Sequence, residues 1–569
     1  MTKHFFIFLF ILGMSKLSFA QENYDQNYFR SPLDIPLVLS GSFGELRGNH
    51  FHSGIDIKTQ GVVGKKVYAA ADGYVSRINV SPFGYGNAIY ITHPNGYVSV
   101  YAHLQRFNDS IAAIIKWVQY KRKSFALEYF PDKTSIRVKK GDLIGFSGNS
   151  GSSGGPHLHF EIRKESNAHP INPFLWGIKV ADHQYPQISR LAIYSYITSY
   201  YQPKKEYKLK QTSRKAKLNT NDTIEVNKRF YIGVQSIDQQ DGAVNKNGLY
   251  KLEYFIDSDL FFTFQVKELS FSQQRYINSY IDYKTYKETK VKYQRTLVQP
   301  NNHLLNITNV KNKGVIELND DKAHEITVIA SDFAGQKTIL KFYVKRKKDD
   351  VKNKQIAGTL FEWDHNNIYK YKDNSMSFEI PKGALYDDIA FYATKTKNNY
   401  TNYSNLYKIY DSGVPLHKYC NISIKADSSL TPALQSKACV LSLTDKGGFY
   451  YEGGKFNNGF VSTRTRSFGD YLIGVDTIAP VIKPQNVYNG KNITRQRSLD
   501  FRVTDDLSGI KSYQATLDGK WILLSYDPKR KRMYYKIDDH FPRGKHVFKI
   551  SVSDAKGNQS AVKMNLIRN

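Results

Sequence analysis

Three short segments near the start of the chain carry side chains that could do chemistry together. The first is His52-Ser-Gly-Ile-Asp56. Side chains alternate between faces along an extended strand, so a spacing of four puts His52 and Asp56 on one face while Phe51, Ile55 and Ile57 can pack inward. The second is Pro156-His-Leu-His-Phe-Glu-Ile162, whose strict alternation sends His157, His159 and Glu161 one way and Leu158, Phe160 and Ile162 the other. The third is Val100-Tyr-Ala-His-Leu104, which contributes His103. Imidazole nitrogen and carboxylate oxygen suit zinc, and two His plus one Asp leave the fourth tetrahedral position open, the mark of a catalytic site. Two further histidines beside such an ion could orient water, stabilise an oxyanion and pass a proton to a leaving amine. Spacing alone does not say which of His157 and His159 is the ligand. The helical HExxH zinc motif is absent, since His324-Glu-Ile-Thr-Val328 lacks its second His and reads as a strand.

The surrounding segments must hold these residues on strands. Asn87 to His93 and Tyr97 to His103 flank Pro94-Asn95-Gly96, a hairpin signal because Asn-Gly tolerates positive φ. Next comes a segment that breaks the β pattern: Asn108 or Asp109 can cap a helix on which Ile111, Ile114, Ile115 and Val118 follow helical spacing. With Lys121-Arg-Lys123 this stretch could form a wall or lid over the cleft or pack against the barrel, and because it emerges directly after His103 it is expected to wall the cleft. Gly148-Asn-Ser-Gly-Ser-Ser-Gly-Gly155 lacks the Lys-Ser/Thr of a phosphate loop and reads as a rim loop. Three nearby side chains are secondary candidates. His50 is expected in a loop, His93 exposed beside the hairpin turn, and Tyr101 either lining the groove with His103 or packing.

These motifs resemble the lysostaphin/LytM-type zinc endopeptidases that cut peptide cross-links of peptidoglycan. The likeness extends to Val67-Tyr-Ala-Ala-Ala-Asp-Gly-Tyr-Val75 and Val138-Lys-Lys-Gly-Asp-Leu-Ile-Gly145 and covers about residues 41–164. It implies one Zn2+, with His52, Asp56 and His159 as ligands and His103 and His157 as the catalytic histidines. It also implies an N-terminal antiparallel β catalytic domain, here interrupted by the helical insert at 108–134, and peptidoglycan as substrate. Two other readings use the same residues: a zinc protease acting on a Gly-rich protein, and a degenerate wall-binding regulator without activity. All five positions being filled argues against the second.

At 569 residues the chain exceeds one core, and about 150 residues per domain suggests about four units. Residues 1–20 read as a signal peptide: Lys3 and His4, an apolar run from Phe5 to Met14, and small residues before Gln21. The run is too short to span a bilayer, so no transmembrane anchor is expected after cleavage. The catalytic domain is placed at 21–184. Beyond it an internal repeat marks two modules: Pro186-Gln-Ile188 matches Pro480-Val-Ile482, Gly248 to Asp257 matches Gly509 to Asp518, and Asp332-Phe-Ala-Gly335 matches Asp554-Ala-Lys-Gly557. Strand-like runs bounded by such turns indicate immunoglobulin-like β-sandwiches at 185–346 and 476–569, with a further sandwich at 355–475 after the linker Lys345 to Asp350. The fold class is therefore mainly β. The formal net charge of +30 lies mostly in the modules, where it suits an acidic envelope polymer or envelope protein. Export argues against nucleic acid as the partner and places the protein in the periplasm or cell envelope of a bacterium. Cys420 and Cys439, the only cysteines, could form a local disulfide or remain buried thiols.

Overall fold

The computed structural model describes residues 24–200, 202–219, 222–348, 361–401 and 403–569. Residues 1–20, read above as a signal peptide, and the end of the Lys345 to Asp350 linker lie outside the described residues. The chain is mainly β, and its sheets are overwhelmingly antiparallel.

The part that carries the histidines is built on one large sheet. Its strands are β1 (Leu39–Gly41), β2 (Ile55–Lys58), β3 (Lys66–Tyr68), β4 (Gly73–Val80), β5 (Asn87–Thr92), β6 (Tyr97–Leu104), β7 (Arg106–Phe107), β8 (Leu127–Tyr129), β9 (Arg137–Val138), β10 (Leu143–Phe146), β11 (His157–Lys164) and β12 (Pro170–Ile171). The sheet runs β1-β2-β11-β6-β5-β4-β8, with β12 on β11 and β9 on β4, while β3-β10-β7 form a second small sheet. Alternation does what the sequence requires. Leu158, Phe160 and Ile162 of β11 enter the core with Ile55 and Ile57 of β2. The central pairing aligns His159 with Asp56 on one side and with Ala102 on the other.

Helix α1 (Asp109–Arg122) starts where Asn108 accepts from the Ile111 N–H and ends at Lys123 in the left-handed region. It buries Ile111, Ile115 and Val118 in the same core. Its other face meets neither cleft nor solvent alone. Lys116 Nζ lies 2.7 Å from Asp538 Oδ2, and the Tyr120 ring stacks on His540 at 3.6 Å. The insert therefore docks onto the last β module.

The Tyr- and Lys-rich stretch between Asp257 and Asn302 welds the first module to the histidine-bearing sheet. Phe51 N donates to Gln274 Oε1 at 2.6 Å, Leu269 N donates to Pro170 O at 2.9 Å, and the Phe51 and Phe264 rings stack. One hydrophobic cluster runs through both regions. Residues 361–475 form two five-stranded sheets and a two-stranded one around Trp363, Phe378, Phe391 and Phe468. The last region packs two four-stranded sheets face to face, with Phe501 stacked on Phe548. Cys420 and Cys439 are free and buried, and burial pushes both thiols up to about 12. Among the described residues no helix is long and apolar enough to cross a membrane.

Candidate active site

His52 precedes β2, Asp56 lies within it, and His159 sits opposite Asp56 on β11. This close pairing depends on Gly54, where a Cβ would come within 2.4 Å of Phe160 O and 2.7 Å of Glu161 Cγ. Three ligating atoms converge as a result. His52 Nε2 lies 3.1 Å from His159 Nδ1 and 3.0 Å from Asp56 Oδ1, and His159 Nδ1 lies 2.8 Å from the same carboxylate oxygen. A zinc ion with ligands at 2.0–2.1 Å in a tetrahedron needs ligand atoms about 3.3 Å apart, so the triangle needs only slight expansion to hold one.

The far atoms of the ligands fix which nitrogen faces the centre. His52 Nδ1 donates to Ser42 O at 2.8 Å and leaves Nε2 free as a ligand. His159 Nε2 lies 2.7 Å from Glu161 Oε1, which leaves Nδ1 facing Asp56. Such outer partners set the tautomer and raise ligand basicity. Glu161 itself is fully buried and well supported. Ser53 Oγ and the Tyr85 hydroxyl donate to its Oε1 at 2.8 and 2.6 Å, and Arg163 Nε donates to Oε2 at 2.6 Å. On the other flank Arg47 Nη2 stands 3.1 Å from Asp56 Oδ2.

The electrostatics favour a cation at the centre. Burial alone would raise the Asp56 carboxyl, but the charge of His52 and hydrogen bonds from His157, His159 and His52 hold it well below the usual carboxylate range. Burial works against a charged His159 ring, yet its bonds to Asp56 and Glu161 push it up to about 9. Burial likewise opposes the Glu161 charge, and Arg163 and His159 overcome it and keep the carboxyl ionised.

The other two histidines flank this centre. His103 Nδ1 and His157 Nδ1 lie 2.9 Å from Ser150 O and Gly155 O, carbonyls of the rim loop, and so turn Nε2 inward. Their rings are 4.8 Å apart, and the His103 ring is 5.8 Å from that of His159. Burial, then the nearby His159 and His157 charges, lower His103 to about 3, so it is neutral at neutral pH.

Three secondary candidates resolve. His50 is exposed in the loop before β2. His93, expected at the surface, is only 3% exposed: its Nδ1 and Nε2 bond Asp72 O and Ser99 Oγ, and Phe29 packs on its ring. Tyr101 is packing. It is fully buried, and its hydroxyl accepts from Ala70 N at 2.7 Å. Alternation does not carry it to His103, because His103 itself has φ 59° and breaks the strand's two-residue period. Sequence reasoning placed Glu161 on the face of His157 and His159 without giving it a role, and did not reach Arg163, Tyr85, Ser53 or Arg47. Continuing the β11 alternation one step past Glu161 would have found Arg163.

Residues 50–116 and 128–173 match the model of peptidase family M23, and residues 358–476 match that of a Zu5-like domain. A DD-carboxypeptidase/endopeptidase, Mpg, from Neisseria meningitidis is 35% identical over 122 residues, 21% of this chain and 22% of that protein. The peptidoglycan DD-endopeptidase ShyC of Vibrio cholerae is 33% identical over 154 residues, 24% of this chain and 29% of its own. The chain spans less than a third of the length of either relative. Among solved structures, the catalytic domain of lysostaphin from Staphylococcus simulans aligns with 26% identity over 24% of this chain and 88% of that one, at a TM-score of 0.18.

Proposed function

We propose that the protein is a zinc endopeptidase of the bacterial envelope that hydrolyses peptide bonds in peptidoglycan stems or cross-links, a reading supported by the match of residues 50–116 and 128–173 to the model of peptidase family M23. The convergence of His52 Nε2, Asp56 Oδ1 and His159 Nδ1, with His103 and His157 beside them, carries this reading. His52, Asp56 and His159 would hold the ion, which when bound acidifies water and polarises a scissile carbonyl.

The chain's own groups do the rest. Ser42 O and Glu161 hold the two ligand imidazoles in the required tautomers. Neutral His103 offers Nε2 as a proton acceptor, while His157 can donate toward the oxygen that gains charge as the carbonyl is attacked. The rim-loop carbonyls of Ser150 and Gly155 aim both rings. The relatives named above support peptidoglycan as the substrate class, and the apolar run before Gln21 supports export.

Purified full-length protein, reconstituted with zinc and incubated with sacculi, should release cleaved cross-links visible by mass spectrometry, and chelator should stop it. Intact dimeric muropeptides after prolonged incubation, with a Gly-rich protein cut instead, would move the substrate to protein. Cutting neither would leave a wall-binding role.

A further inference from the structure

The first and last modules repeat one another down to individual hydrogen bonds. Asp257 Oδ2 lies 2.6 Å from His324 Nδ1, and Asp518 Oδ2 lies 2.6 Å from His546 Nδ1. Asp332 Oδ1 accepts from Gln336 N at 2.8 Å just as Asp554 Oδ1 accepts from Asn558 N at 2.9 Å. Each module brings three aspartates toward this turn: Asp182, Asp238 and Asp332 in the first, Asp476, Asp505 and Asp554 in the last. Asp182 and Asp476 stand at the same place, four residues before Pro186 and Pro480.

The two clusters then diverge. In the last module Asn558 Nδ2 donates to Asp554 Oδ2 at 2.7 Å, and the Lys556 ammonium lies in the field of Asp476 and Asp554. Ser508 N donates to Asp476 Oδ2 at 3.1 Å. The first module has Ala334 where Lys556 stands and Gln336 where Asn558 stands. Here one oxygen from each of Asp182, Asp238 and Asp332 lies within 4.8 Å of the others. Asp238 and Asp332 are 2% and 3% exposed, and Asp238 Oδ1 and Asp332 Oδ2 have no hydrogen-bond partner. Asn247, which exchanges backbone hydrogen bonds with Asp238, is 2% exposed and has an unpartnered amide oxygen as well.

Unpaired buried carboxylates are expensive, and a site rich in them is relieved by a proton or by a cation. Burial, reinforced by the charges of the neighbouring aspartates, raises Asp182 and Asp332 to about 6 and Asp238 to about 9. Among the described residues the basic side chain that acts on these carboxyls, through Asp182, is His183, which is exposed and tied to Asp241, while Lys179 lines the same cavity as Asp182. Oxygen-only donors from several chain segments suit calcium, which takes 6–8 oxygens at 2.3–2.6 Å and tolerates irregular geometry. Two oxygens on one such ion can be up to about 5 Å apart, which accommodates the cluster.

We propose that Asp182, Asp238 and Asp332, with the neighbouring Asn247 amide oxygen, form a calcium site that fastens the catalytic domain to the first module. Asp182 lies on the connecting segment, while Asp238 follows the strand Arg229–Ile237 and Asp332 follows the strand Ala323–Ser331. Asp182, Phe333 and Ala334 also line, with Phe174 and Ile178, a cavity of about 340 Å³ between the two regions. An ion there would bind all three segments at once.

The test uses the full chain, stripped of metal and reconstituted with one equivalent of zinc. Calorimetric titration with CaCl2 should give one site per chain, and 1 mM CaCl2 should raise Tm by several degrees. His159→Ala should keep this response, because its site is separate. Asp238→Asn and Asp332→Asn should weaken calcium binding at least tenfold. Each removes one of three repelling carboxylates, so both should fold and be at least as stable as wild type without calcium. Asp554→Asn, in the last module, should leave calcium binding unchanged. Absence of a calcium response in wild type, or its survival in the Asp238→Asn/Asp332→Asn double variant, would overturn the proposal.

Discussion

The histidine cleft and the aspartate junction gather ligating side chains in opposite ways. In the cleft every buried charge has an opposite partner: Asp56 faces Arg47 and three imidazoles, and Glu161 faces Arg163 and His159. At the junction three carboxylates approach one another with two oxygens unpartnered. The cleft is positioned by strand register, β2 against β11 against β6. The junction is assembled from a connecting segment and two strand ends. The first arrangement balances every charge within the protein, and the second is suited to an ion that holds segments together. The last module shows a third outcome, in which Asn558 bonds Asp554 and Lys556 lies in the field of Asp476 and Asp554, while Asp505 Oδ1 keeps no partner.

The largest effects should come from breaking the histidine cluster. His52→Ala, Asp56→Ala and His159→Ala should each lose stoichiometric zinc by elemental analysis and lower muropeptide hydrolysis by at least about 10³-fold. Full zinc in all three would refute the ligand assignment. His103→Ala and His157→Ala should keep zinc and lower kcat by about 10²–10⁴. Normal turnover in either would remove it from the catalytic machinery.

Why those five histidine and aspartate positions were readable, and their supports were not, follows from geometry. A two-residue period is written in the sequence, so His157, His159 and Glu161 fall on one face without knowledge of the fold. Tyr85 reaches Glu161 from 76 positions away, and only the β11-β6-β5 order brings them together. Tyr101 and His93 mark where local rules fail. A left-handed His103 interrupts alternation, and the N-terminal segment carrying Tyr28 and Phe29 covers a residue that its turn suggested would be exposed. The repeat was legible together with its Asp-x-x-Gly turns, and so was the insert helix. The meeting of Asp182 with Asp238 and Asp332 was not, because their separation along the chain carries no period.

A substitution of intermediate size puts the two clusters in direct opposition. Glu161→Gln keeps shape but leaves Arg163, 8% exposed, without its carboxylate, so the variant should lose about 3–5 kcal/mol of stability. It should also bind zinc about 10–100-fold more weakly, since His159 loses its anionic outer partner. Asp332→Asn in calcium-free buffer should shift Tm the other way or not at all. Equal destabilisation by both, measured by thermal unfolding, would mean that charge balance does not distinguish the sites.

The smallest effect concerns a buried ionisable group with no counter-charge in contact. His93 is held neutral by burial, which lowers it to about 4, against about 6.5 in an unfolded chain. Above pH 6.5 both states are neutral and the group costs nothing. As pH falls from 6.5 toward 4 the unfolded chain binds a proton that the folded chain refuses, so stability declines through that window and the loss is complete below it. The limit is about 3 kcal/mol. His93→Gln removes the titration, so its stability should fall by up to about 1.4 kcal/mol less per pH unit than wild type between pH 6.5 and 4. Other groups titrate in both proteins and cancel in the difference. Identical slopes would assign the acid sensitivity of this region to carboxylates instead, and leave His93 protonated and paired in the folded state.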